Sequence, residues 1–430
     1  MNSATLYAQL PNGLTVHLKE IHTAPLISHW VWYRVGSRDE QPGRTGLSHW
    51  VEHMQFKGTP LFPPTVLDKA IAREGGTWNA FTYLDWTAYF ETLPADKIDL
   101  ALRLEADRMV NSEFKSEDVE SERTVILSER EGSENEPLFR LGEAVQTAAF
   151  QVHPYRHEII GEKDDLHNIQ RDDLYGHYRR YYTPNNAVVT AAGDFNAQEM
   201  LARITELYGS IPATPLPERS IPAEPPTTAA TQLEVSGPGE TSYIQIACQA
   251  PAASARDFFA FTVLDSLLTG PAGLNMFGGG GVSNKTSRLY RALVESELAA
   301  GLSGGLQATV DPFLYDTTIT VRNGQSPEQI LSVYHDELHR LQDNPAPADE
   351  IQRAIKQARA LFAYGSENIT NQAFWLGYAE MFDRYAWFTG YIEHLASVTP
   401  QDVQRVAQIY LAESRLVTGV YVPDGSPEVE

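Results

Sequence analysis

Apolar and polar positions along this chain follow two rhythms, and the switches between them mark its elements. Period-two alternation predicts strands over Leu6–Leu10 and Leu14–Lys19, joined through Pro11-Asn12-Gly13, whose residues suit a hairpin turn. Ile27–Val35, dense in Trp, Tyr and Val, reads as a third strand. At Leu47–Phe56 the pattern changes to helical spacing, and Val66–Arg73 forms a second helix stopped by Gly75-Gly76. Thr77–Thr82 and Trp86–Glu91 pair as a hairpin around Leu84-Asp85. Ala95–Val110 and Glu117–Arg130 return to helical periodicity, and helices over Asp173–Tyr182 and Ala197–Tyr208 bracket a strand at Ala187–Ala191.

The pattern then repeats. Asp173-Leu174, Tyr181 and the apolar run from Ala187 have counterparts in Asp402-Val403, Tyr410 and the run from Leu416. The offset is constant at 229 residues, from 173 to 402 and from 181 to 410. A repeat on this scale predicts two homologous domains rather than a solenoid. Between them, the stretch from Gly209 to Gln232 carries six prolines and reads as an extended linker. The expected division is residues 1–212, a linker at 213–230, and residues 231–430.

Composition narrows the function classes. At 430 residues and 42% hydrophobic content the chain buries ample core. Its net charge of −23 argues against nucleic acid as a partner. No apolar run reaches the ~18 residues of a membrane span. The opening Met1-Asn2-Ser3-Ala4-Thr5 shows no secretory signal pattern, so the cytoplasm is the expected compartment, or the periplasm if a leader has been removed. The single cysteine, Cys248, excludes an internal disulfide and sits in an apolar strand. Acidic residues crowd between Glu113 and Glu136, a solvated helix face or a wall that attracts basic peptides.

Candidate chemistry concentrates in the first helix. His49-Trp50-Val51-Glu52-His53 reads His-x-x-Glu-His, an inverted form of the commoner zinc-peptidase motif. At roughly 100° per residue the two histidines share one helix face about a turn apart. Two imidazoles so placed can bind one zinc ion, and Glu52 projects beside them as a general base. The bland alternative is an amphipathic helix with two half-buried histidines. A third ligand must come from elsewhere, and Glu129, Glu131, His153 and His157 are open candidates. Glu122 and Glu129 lie seven residues apart on one helix face, whereas Glu131 points roughly 200° away from Glu129.

The flanks carry a family resemblance. Gly36-Ser37-Arg38-Asp39-Glu40 and Thr45-Gly46-Leu47-Ser48 lead into the motif, and Phe56-Lys57-Gly58-Thr59-Pro60 follows it. Gly75–Thr82, with Asn79-Ala80-Phe81-Thr82, comes next, then Glu122-Arg123-Thr124-Val125-Ile126-Leu127-Ser128-Glu129. His153-Pro154-Tyr155 and Tyr181–Asn186 complete the order. In this the chain resembles the insulinase/pitrilysin family of zinc peptidases, strongly in its first half. The resemblance implies an α+β fold of two homologous domains, each a mostly antiparallel sheet packed with helices, enclosing half of a peptidase chamber. It implies one zinc ion per chain held by His49, His53 and Glu129, with Glu52 as catalytic base and Glu122 supporting the site from behind. It also implies that Asn79, Ala80 and Phe81 belong to a strand that pairs with peptide substrate.

The second half departs from the pattern. Self-sufficient family members carry an arginine and a tyrosine that bind the substrate carbonyl. Here the segment Ser287-Arg288-Leu289-Tyr290 runs on so that Val294 and Gly301 occupy those positions. Neither offers a side-chain donor. The expectation is therefore the zinc-bearing half of a split enzyme, resembling that subunit of mitochondrial processing peptidase. A homologous half-length subunit would supply the Arg/Tyr pair, in a heterodimer, or a homodimer if Arg288, Arg291 or Tyr290 substitutes. A non-catalytic structural subunit and a peptide-binding chamber with structural zinc are the alternatives. Gly278–Gly281 lacks the Gly-Lys-Ser/Thr ending of a phosphate loop and reads as a loop at a chamber rim.

Overall fold

The alternating segments pair into two sheets of closely related plan. In the computed structural model, residues 5–274 and 282–425 are described, apart from the side chains of residues 65–68. The Gly278–Gly281 run lies outside the described residues. The first sheet contains β1 (Leu6–Gln9), β2 (Thr15–Glu20), β3 (Leu26–Tyr33), β4 (Thr77–Thr82), β5 (Thr87–Pro94) and β6 (Ala187–Gly193), in the order β1-β2-β6-β3-β5-β4. Both expected hairpins form: β1 pairs antiparallel with β2, and β4 with β5, Asn79 standing opposite Phe90. Only β2 and β6 run parallel.

The second sheet contains β7 (Thr231–Gly237), β8 (Tyr243–Gln249), β9 (Ala299–Leu306), β10 (Leu314–Val321) and β11 (Val417–Pro423), ordered β7-β11-β8-β10-β9. One parallel pair, β7 with β11, is again followed by antiparallel pairings. This matches β2-β6-β3-β5-β4 strand for strand, the duplication expected from the 229-residue offset. The fold is α+β with two sheets, as expected.

The compact units do not follow the simple order of the chain. One comprises Met1–Arg130, His157–Ile221 and Ser366–Tyr385; the other comprises Glu131–Arg156, Pro222–Gly365 and Ala386–Glu430. Each therefore takes a short piece from the sequence half to which it does not belong, a division finer than 1–212 and 231–430. The cause lies in two helices. Ile369–Phe382 is apolar around nearly its whole circumference and packs on β3 and β6 in the first unit. Its Gly377 lies so close over Trp32 that a Cβ there would fall 2.1 Å from the indole nitrogen. Pro137–Ala149 packs on β7, β8 and β11 in the second unit, where Leu141 and Val145 are buried.

Beneath the first sheet lies a charged network that the hydrophobic pattern does not announce. Arg108, 2% exposed, pairs with Glu105 at 2.5 Å and lies over the Tyr89 ring at 4.2 Å. His29 bonds Glu91 at 3.0 Å in the same layer. Buried charges are tolerated only when paired in this way.

Candidate metal centre

The motif helix runs from Leu47 to Gln55 and buries Leu47, Trp50, Val51 and Met54. Its start is set by the preceding loop. Gly46 takes φ 87°, a left-handed conformation that favours glycine, and a Cβ there would meet the Ile160 carbonyl oxygen at 2.5 Å. The Gly46 and Ser48 N–H groups donate to the two carboxylate oxygens of Glu40, each at 2.7 Å. Glu40 therefore satisfies two otherwise orphaned donors at the start of the helix, while burial pushes its own pKa up to about 8. Thr45, one residue earlier, donates from its backbone N–H and its hydroxyl to Asp165 at 2.9 and 2.7 Å.

From this fixed helix His49 and His53 project side by side, their ring centres 4.6 Å apart. Glu129, on the Ser116–Asn135 helix, faces both: its Oε2 lies 3.9 Å from His49 Nε2 and 3.7 Å from His53 Nε2. Two turns earlier on that helix, Glu122 Oε2 accepts from His53 Nδ1 at 3.0 Å. That bond keeps the proton on Nδ1 and turns the Nε2 lone pair toward Glu129. Lys57 pairs with the other Glu122 oxygen. The helix is held by Arg123, which lies over the Trp50 ring at 4.8 Å and donates to the Ile169 carbonyl at 2.9 Å.

The electrostatics differ between the two histidines. Burial, and after it the neighbouring His53, push the His49 pKa down to about 3, so its imidazole is neutral. Burial opposes protonation of His53, but Glu122, Glu52 and Glu129 together hold its pKa above the usual value. Burial also works to raise Glu122, and the hydrogen bonds from His53 and Lys57 outweigh it and keep that carboxylate ionised. Glu52 is buried, which raises its pKa against the opposing bond from Thr82. Thr82 Oγ1 donates to Glu52 Oε2 at 2.6 Å.

The donor atoms of His49, His53 and Glu129 lie within 4.8 Å of one another, the single such group among the described residues. A tetrahedral ion ~2.0–2.1 Å from each ligand sets its donors ~3.3–3.4 Å apart, so small side-chain movements close the group. Two imidazoles and a carboxylate form the donor set of catalytic zinc sites, which leave a fourth position open. The residues fit the metal. The other ligand candidates have different partners: His153 bonds Asp311 at 3.1 Å and His157 bonds Glu162 at 3.4 Å.

Asn79, Ala80 and Phe81 fall on β4, the edge strand of the first sheet. Trp78 and Thr82 of β4 face the motif helix, through a Trp78–Phe56 ring contact at 4.8 Å and the Thr82–Glu52 bond. Asn79 is exposed, and its Oδ1 accepts from the Ala80 N–H at 2.9 Å. Phe81 stacks on Phe90. Sequence reasoning missed three contributors here: Glu40, Thr82 and Lys57. Each stood in a quoted motif, but its role depends on a contact made only when the chain folds back. For Glu40 the one available signal was an acidic residue ahead of a helix that lacks a Ser, Thr, Asp or Asn cap.

Glu40→Ala is expected to weaken zinc retention and to lower the unfolding midpoint. Lost caps typically cost ~0.5–2 kcal/mol. Denaturant melts and metal analysis check this, with Glu40→Gln, which keeps an acceptor, expected to lose less. Unchanged zinc retention and stability in Glu40→Ala would remove Glu40 from the site's support.

The motif and the paired-glutamate helix both fall within residues 15–163, which match the family model described as "Insulinase (Peptidase family M16)"; residues 168–358 match "Peptidase M16 inactive domain". The chain belongs to the insulinase family. An uncharacterized zinc protease of Streptomyces coelicolor is 27% identical over 410 residues, 93% of this chain and 85% of that one. The mitochondrial-processing peptidase subunit beta of Lentinula edodes is 26% identical over 417 residues, 95% and 87% of the two chains. A protease structure from Helicobacter pylori superposes with a TM-score of 0.88 at 26% identity, covering 98% of this chain and all of that one. Among the insulinase-family relatives several are thus named zinc proteases. Val294 and Gly301 of this insulinase-family chain fall within the stretch that matches the inactive domain. Among the described residues no helix is long and apolar enough to cross a membrane.

Proposed function

We propose that this chain is a zinc-dependent endopeptidase and the zinc-bearing subunit of a two-chain enzyme. The observation that carries the reading is the convergence of His49, His53 and Glu129 beside a Glu52 carboxylate anchored by Thr82. Bound by the three ligands, zinc supplies Lewis acidity for the scissile carbonyl and lowers the pKa of water toward neutrality. Glu52 is the general base: Thr82 holds one of its oxygens, and the other takes the proton of the attacking water and passes it to the leaving amine. Burial raises its pKa and so strengthens it as a base. Glu122 orients His53. Peptide substrate adds to the open edge of β4 through main-chain bonds, and at Ala80 it displaces the Asn79 carboxamide from the backbone N–H.

The two-chain part of the proposal rests on the second half. Val294 ends a short π-helical turn and Gly301 lies in β9, and neither has a side-chain donor for the substrate oxyanion. A homologous half-length subunit supplies an Arg/Tyr pair and, with this chain, encloses the peptidase chamber. That the Lentinula edodes relative is named as a subunit supports the reading. Residues 1–212 and 231–430 are then duplicated domains, only the first bearing the catalytic zinc, and the cytoplasm is the working compartment.

Metal analysis tests the ligand set. Wild-type protein is expected to carry a tightly bound zinc ion, and His49→Ala, His53→Ala and Glu129→Ala each to lose that ion. Full retention in any one variant removes that residue from the ligand set. Peptide turnover with and without a chelator separates an enzyme from a structural subunit or a peptide-binding chamber.

A further inference from the structure

A second histidine pair lies far along the sequence, in the other compact unit. His335 and His339 stand one turn apart on the Pro327–Asp343 helix, the same i, i+4 spacing as His49 and His53. Gln342 continues their face, at i+7 from His335. Its amide donates to the Leu411 carbonyl at 2.9 Å and the Ala407 carbonyl at 3.3 Å, while the Gln404 and Gln408 amides donate to the Gln342 carbonyl at 2.9 and 2.7 Å. These four bonds lock the helix face to the end of the Pro400–Tyr410 helix. The next turn, Glu413–Arg415, therefore presents Glu413 to the two imidazoles. Glu413 Oε1 lies 3.2 Å from His339 Nε2 and 3.7 Å from His335 Nδ1.

Two further observations point to a ligand. His335 Nδ1 is a buried polar atom with no hydrogen-bond partner, an unsatisfied state that native structures usually avoid. The same residue also lines a groove of about 570 Å³ between its helix and strands β7 and β11, bordered by Glu234, Glu328 and Thr418. The groove gives an ion a route to His335 and polar neighbours beside it.

We propose that His335, His339 and Glu413 form a second metal site, independent of the peptidase centre, that takes a divalent first-row transition ion such as zinc. Two imidazole nitrogens and one carboxylate suit zinc, nickel or copper, whereas magnesium and calcium prefer all-oxygen shells. The trio meets through Glu413, unlike the more tightly gathered His49, His53 and Glu129, and it closes on an ion by rotation of His339, whose side chain is 49% exposed. The site is accordingly the weaker of the two. Its ion cross-links the Pro327–Asp343 helix to the turn before β11 and stabilises the second unit by mass action.

Equilibrium dialysis of the full-length chain against micromolar zinc tests this. Wild type is expected to bind one more zinc ion than His335→Ala/His339→Ala, and that variant is expected to keep its peptidase-centre metal. A His49→Ala/His53→Ala chain should still bind one weakly held zinc ion, with an unfolding temperature that rises on zinc addition. The rise should vanish when His339→Ala is added and shrink with Glu413→Gln, a change at an exposed residue that leaves folding intact. If the trio is only an ion pair, the His49→Ala/His53→Ala chain binds no zinc and its melting ignores the metal; either result overturns the proposal. Retention of both ions by that chain would instead count against the assigned peptidase ligands, so the two readings fail separately.

Discussion

Glu52→Gln is expected to retain zinc and to lose peptide turnover by ~10²–10⁴-fold, the usual worth of a general base. The amide keeps the shape of the side chain and can still accept from Thr82 Oγ1, now 2.6 Å from the carboxylate. It cannot take a proton from water. The loss should appear in kcat with little change in metal content, because Glu52 is no ligand in the proposed set. Steady-state peptide cleavage alongside metal analysis checks both halves of the expectation. Wild-type turnover from the variant would show that another group serves as base. Loss of zinc would show instead that Glu52 helps to hold the metal.

The second large effect concerns assembly. Purified alone, the chain is expected to bind zinc and cleave peptides poorly. Mixing with a homologous subunit that carries the Arg/Tyr pair should raise turnover by on the order of 10²–10³-fold, the worth of an oxyanion donor. Size-exclusion chromatography with turnover assays across the mixture tests this. The competing arrangement is a homodimer in which Arg288, Arg291 or Tyr290 substitutes. Arg288 is already committed, since it donates to Glu350 at 3.0 and 2.8 Å. Arg291, exposed, is the freer candidate. Strong activity from a homogeneous preparation, abolished by Arg291→Ala or Tyr290→Phe, would overturn the split-enzyme proposal and leave the zinc chemistry standing.

Short-range order made much of this molecule legible in advance. The helix at Leu47–Gln55, the hairpins β1–β2 and β4–β5, and the helix at Ala197–Tyr208 all formed within one to three residues of expectation. Each is specified by its own hydrophobic period and by local turn or stop residues. The 229-residue offset likewise announced two sheets of one plan, because a duplicated pattern buries itself in the same way twice. In the candidate site, the pairing of His49 with His53 follows from helix geometry alone. Glu129 came from a family resemblance rather than from spacing, which left four candidates open.

What lay beyond local order was every contact that joins distant segments. The apolar residues of Ile369–Phe382 declare a buried helix but not which sheet it covers. Packing settled that, with Gly377 admitting Trp32 from a segment more than 300 residues earlier. The Thr82 bond to Glu52, the Glu40 cap and the facing of Glu413 to His335 and His339 have the same character. A side chain's type and period fix the face of its element, which is a local property read from the sequence. The partner it meets there is set by how the elements dock, and docking minimises exposed apolar area and unpaired polar groups over the whole fold at once. The sequence by itself therefore determined the elements, their repeat and the two histidines of the motif. The tertiary structure decided which carboxylates stand opposite them, and which helices complete each unit.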